Sequence, residues 1–117
     1  MDDTALLGEA RQAIAAARAY AATVRATVRG LVEADGRIDP ESVTAEQHIV
    51  HGYAWIETLV AALDALCGWA AAAEQRGAFG PAEQLVLRIG FGEYLGQLVG
   101  GLPMSGSEIL RAQQIGA

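Results

Sequence analysis

The chain has no lysine, one cysteine, three prolines and two histidines among its 117 residues. Each scarcity excludes something. A lone cysteine, Cys67, closes no internal disulfide, and inside a long apolar helical stretch it reads as a small hydrophobe. The prolines, Pro40, Pro81 and Pro103, leave long stretches free of the strongest helix breaker. Eight arginines against fourteen acids give a net charge of −6. Nucleic acid and anionic membrane surfaces are bound by basic faces, so neither is an expected partner. The chain opens on Asp2 and Asp3 instead of a basic leader region, and its most apolar stretch, Leu59 to Ala73, contains Asp64 and is short for a membrane span. A cytoplasmic location is therefore the expectation. No strand alternation, repeat or low-complexity linker stands out.

What the chain has is apolar residues, 52% of the total and mostly Ala, Leu, Val and Ile. Alanine is the best helix former because it loses no side-chain entropy on folding. The expected fold is all-α, a single domain over 1–117, an antiparallel helical bundle of three main helices plus a short C-terminal helix.

The first helix is expected from about Asp3 to Glu33, with Thr4 or Asp3 as its cap. Leu7, Ala10, Ile14, Ala17, Ala21, Val24, Val28 and Leu31 recur at alternating steps of three and four, the spacing of one helix face. Gly36 can take the left-handed conformation that closes a helix, and Pro40 forbids continuation. The second helix is expected from Pro40 to Gln75. One of its stripes reads Ile49, Tyr53, Ile56, Val60, Leu63, Cys67, Ala70. A second reads His48, Trp55, Leu59, Ala62, Leu66, Trp69. Two stripes make a face too wide for one neighbour, so this helix is expected to be central. After the break at Arg76 to Pro81, a third helix runs to Val99, and Ser105-Gly106-Ser107-Glu108 is read as the cap of a short final helix through Arg111.

Two constellations are singled out. Gly92, Gly96 and Gly100, four residues apart, form a flat strip that lets another helix approach closely. Arg11, Arg18 and Arg25 repeat every seven residues on the first helix, as Glu57 and Asp64 do on the second. A hairpin turning near residue 38 brings Arg18 level with Glu57 and Arg11 with Asp64, and leaves Arg25 without an acid across. Such flanking pairs fix register.

Chemistry has less to stand on. His48 and His51 lie three apart, but two histidines leave a metal short of ligands. Ser42, Ser105 and Ser107 stand where helix capping accounts for them. Trp55, Trp69, Phe79, Phe91, Tyr53 and Tyr94 read as core before they read as a ligand pocket. No residue of this chain is expected to serve catalysis, hold a cofactor or bind a metal.

From Ala45 onward the order of residues carries a resemblance. The segments are Ala45-Glu46-Gln47-His48, His51-Gly52-Tyr53-Ala54-Trp55, Trp69-Ala70 and Gly77-Ala78-Phe79-Gly80 with Glu83-Gln84-Leu85. The most specific are Ile89-Gly90-Phe91-Gly92-Glu93-Tyr94-Leu95, Gly100-Gly101-Leu102-Pro103-Met104-Ser105 and Glu108-Ile109. Together they resemble the N-terminal helical extension of bacterial acyl-CoA dehydrogenase-like flavoproteins. Gly106 and Arg111-Ala112 depart from that pattern. The resemblance implies a non-catalytic accessory domain, acting in assembly or docking, with FAD and the catalytic carboxylate in other domains of a parent oxidoreductase. The alternative is a helical bundle that binds a small ligand or acyl group. The apolar width of the second helix and the length of the first two lead us to expect a homo-oligomer, a two-fold dimer first, with the rest of a flavoprotein as a second partner.

Overall fold

The computed structural model describes residues 3–103, 109–110 and 112–115. Helix α1 spans Asp3–Val32. A two-residue hairpin follows, β1 (Glu33–Ala34) paired antiparallel with β2 (Arg37–Ile38). Then come α2 (Pro40–Ala45), α3 (Gln47–Gln75) and α4 (Pro81–Gly100). A second small ladder pairs β3 (Leu102–Pro103) with β4 (Ile109–Leu110), and α5 (Ala112–Ile115) ends the described chain. The all-α reading holds, and the two ladders are additions to it.

Helix α1 buries Leu7, Ala10, Ile14, Ala17, Ala21, Val24 and Val28, as its spacing predicts. The stripe fails at its end, where Val32 is buried and Leu31 is exposed. A strict seven-residue repeat drifts by ~20° per heptad around a straight helix, and over three heptads the burial moves one position on.

The connection from α1 is more structured than the sequence reading allowed. Asp35 (φ 54°) and Gly36 (φ 76°) both lie in the left-handed region. Positive φ at both central residues is what a two-residue type I′ hairpin requires, and Asp-Gly is a preferred pair for it. Gly36 therefore turns a hairpin instead of closing the helix. The Asp39 backbone N–H donates to Val32 O at 2.7 Å and closes the loop's base. The second predicted helix is in fact two, separated at Glu46 (φ −106°, ψ 24°).

The α3–α4 turn follows from its glycines and proline. Gly77 has φ 69°. Its N–H donates to Glu74 O at 3.0 Å and that of Ala78 to Ala73 O at 2.8 Å. These two bonds make a Schellman motif. Pro81 starts α4, and the Glu83 carboxylate accepts the Gly80 N–H at 3.0 Å. The predicted capping segment 105–108 lies outside the described residues, and so do the side chains of Asp3 and Thr4. Ile109–Leu110 is strand, so the final helix does not begin ahead of Arg111; it is the short α5.

Helix α3 is central. Its first stripe buries Ile56, Val60, Leu63, Cys67 and Ala70. Its second buries only Leu59, while Trp55 and Trp69 stay 37% and 39% exposed. By length and composition alone α3 would suffice to cross a membrane, which the narrower Leu59–Ala73 window had not suggested. Here it packs against α1 and α4. The molecule measures 52 × 32 × 18 Å with a radius of gyration of 16.7 Å. Compact packing of this many residues gives ~13–14 Å. The bundle is a thin slab with two large outer surfaces.

Candidate functional site

The flank where α1 meets α3 is polar. Arg18 pairs with Asp64 at 2.5 Å and Arg25 with Glu57 at 3.4 Å. Arg25 Nε also donates to the Tyr53 hydroxyl at 2.9 Å. That bond, helped by the Glu57 charge, holds the Arg25 pKa above the usual arginine range. Arg29 pairs with Glu33 within its own turn at 3.1 Å.

This ladder corrects the predicted one. Arg18 meets Asp64 instead of Glu57, Arg25 takes Glu57, and Arg11 is not joined to Asp64. The helices are level about residue 41, the midpoint of both pairs, instead of near 38. The hairpin and α2 lengthen the connection on the α3 side. A shift of half a heptad in the turn moves the pairing by a whole one. The seam is as expected and its register is not.

The opposite flank of α3 is apolar. Ala62, Ala65 and Leu66 with Val86, Ile89, Gly90 and Tyr94 line an open groove between α3 and α4. Gly90 faces Leu66, since a Cβ there would run into the Leu66 Cδ2 methyl. The strip singled out in sequence behaves differently. Gly92, Gly96 and Gly100 are exposed, and a Cβ at any of them meets nothing within 4 Å. Among the described residues, no side chain or backbone of another helix comes within 4 Å of a Cβ at these positions. Periodicity identified a strip; which way it faces depends on the rotation of α4, which only packing decides.

The six aromatics do not converge on one pocket. Phe79 and Phe91 are core. Tyr94 lines the α3–α4 groove and Tyr20 a second groove, between α1 and α4, formed with Ala13, Ala17, Leu95, Leu98 and Val99. The Trp55 indole N–H donates to His51 Nε2 at 3.0 Å, which occupies that imidazole nitrogen. Cys67 is buried. Among the described residues no three His, Cys, Asp or Glu side chains cluster to hold a metal.

The outer faces are the most distinctive surfaces. On α3 the exposed side carries Ala54, Thr58, Ala61, Ala65, Gly68 and Ala72. On α4, Leu85 is 57% exposed, Ile89 62% and Val99 85%. These define a class: an all-α module with ion pairs along its α1–α3 flank and large apolar side chains exposed on α4. No family model matches the chain. The chain is similar to the (2S)-methylsuccinyl-CoA dehydrogenase of Cereibacter sphaeroides, with 39% identity over 111 residues, or 95% of this chain. It spans 20% of that protein's length.

Proposed function

We propose that this chain is a non-catalytic helical accessory module of an acyl-CoA dehydrogenase-like flavoprotein, working in assembly or docking as part of a homo-oligomer, a dimer in the simplest case. The observation that carries the reading is the shape of the match. Nearly the whole chain aligns, yet it corresponds to one fifth of the relative. In this reading the flavin and the acid–base chemistry belong to the remaining four fifths. The α3–α4 groove, lined by aliphatic side chains, glycine and one tyrosine, supports a packing role over a phosphate-binding one.

Removing the corresponding segment from the C. sphaeroides dehydrogenase tests it. The expected result is a protein that keeps its flavin but loses its native assembly or its docking partner. Loss of flavin with the assembly intact contradicts the reading. The rival, an acyl-binding bundle, draws on the α1–α4 groove of Ala13, Ala17, Tyr20, Leu95, Leu98 and Val99. Native mass spectrometry of the purified chain separates the two, since a co-purifying acyl group supports the rival.

A further inference from the structure

We propose that the outer face of α4 is a self-association seam on which a second copy of this chain packs antiparallel about a two-fold axis. This rests on the docking reading and names its occupant. Leu85, Ile89, Gly92, Gly96 and Val99 fall at steps of four, three, four and three, the spacing of a helix-pairing seam. In this chain the seam faces outward. Leu85, Ile89 and Val99 are more than half exposed, and nothing lies within 4 Å of a Cβ built at Gly92 or Gly96.

The sizes along the seam are self-complementary. A two-fold axis level with Gly90 and Phe91 sets Ile89 against Gly92 of the partner subunit, and Leu85 against Gly96 of the partner subunit. It also sets Val99 against Ala82 of the partner subunit. Each large side chain meets a small residue, as knobs meet holes. The same axis repeats every contact in reverse, as an isologous interface requires. Arg88 and Glu93, the charged residues within this stretch of α4, lie on opposite sides of the seam and are exposed, so they fall at the rim.

The chain exposes 6894 Å². A compact monomer of 12.2 kDa exposes about 6,100 Å² by the usual scaling. The slab as a whole therefore carries about 800 Å² of extra surface, as much as one partner contributes to an interface of standard size. The outer side of α1, where Gln12, Ala15, Ala19, Ala22 and Ala26 are exposed, carries no large aliphatic side chain.

The test uses the 117-residue chain in a Cys67→Ala background. Sedimentation at about 100 μM, a concentration that populates even weak dimers, is expected to give twice the chain mass. Ile89→Glu is expected to weaken the dimer about 100-fold or more, by burying a charge without a partner, while circular dichroism stays that of the parent because Ile89 is exposed. Ile89→Cys mixed with Gly92→Cys is expected to form a disulfide-linked heterodimer. Ala61→Cys, on the outer side of α3, is the control that remains uncrosslinked. A monomer at this concentration, a dimer that survives Ile89→Glu, or crosslinking through Ala61→Cys overturns the seam. The docking reading fails separately, through the deletion in the dehydrogenase. A monomeric chain that binds the deleted dehydrogenase would leave that reading standing and remove the second copy.

Discussion

The two sides of α3 meet different neighbours by different means. Toward α1 the contact is an apolar stripe edged by Arg18–Asp64 and Arg25–Glu57. Toward α4 it is an apolar groove closed at one point by Leu66 against Gly90. Helix α1 presents a sharp boundary between core and solvent, with arginines at its edge and alanines outside. Helix α4 has no such boundary, since Leu87 and Phe91 are buried while Leu85, Val86 and Ile89 are at least half exposed. A helix with large apolar side chains on two opposite faces is suited to lie between two neighbours. The contrast teaches that α1 and α3 cover each other inside the chain, whereas α4 leaves one apolar face open.

Core truncation should separate the two regions most widely. Leu63 is fully buried, and Leu63→Ala should cost about 2–5 kcal/mol through lost burial and the cavity left behind. Leu85→Ala should change chain stability by no more than ~0.5 kcal/mol, as exposed positions do. Urea unfolding at low concentration measures both. Equal losses would erase the comparison.

Enlarging a glycine comes next. Gly90→Leu must displace Leu66 and should destabilise by about 1–3 kcal/mol. Gly96→Leu meets open space and should stabilise the isolated chain by up to ~1 kcal/mol through helix propensity. The same substitution should block dimerisation. A lower melting temperature for Gly96→Leu than for Gly90→Leu would reverse the assignment of the close contact.

At the turn, Gly36→Ala places a side chain at φ 76° and should cost about 1–2 kcal/mol. Little or no loss in thermal unfolding would mean that the hairpin is not required to hold α1 and α3 in register. The smallest effect is at the start of α2. The Ser42 hydroxyl donates to Asp39 Oδ2 at 2.6 Å and holds the Asp39 carboxyl below its ordinary value of 3.8. A pKa lowered by folding stabilises the fold above the ordinary value, and that contribution is lost as pH falls through the lowered one. Ser42→Ala should raise the Asp39 pKa toward 3.8 in an NMR titration and leave acid unfolding slightly less steep. An unmoved Asp39 titration would remove Ser42 as the cause.

Much of this fold could be read from spacing alone. The α1 stripe, the break at Gly77 to Pro81 and the centrality of α3 each rest on local periodicity or turn chemistry. What escaped reading depended on three-dimensional placement. The Asp35-Gly36 pair is a hairpin signal that also fits a helix end, since a left-handed Gly36 serves either. The hairpin moves the turn by half a heptad and shifts the ion pairs. Gly92, Gly96 and Gly100 form the more regular pattern, and nothing in sequence says that Gly90 is the glycine facing Leu66. The exposed seam could not be seen at all until α4 was oriented, since Leu85 and Leu87 look equally suited to a core.

Hydrogen exchange at two concentrations tests the central contrast most directly. Between about 5 and 200 μM, a range over which a weak dimer fills, backbone amides of residues 85–99 should gain protection, while those of the α1–α3 seam, at residues 14–28 and 56–70, should not change. Protection gained on α3 with α4 unaltered, or gained nowhere, would contradict an account in which α1 and α3 complete the fold and α4 awaits its partner.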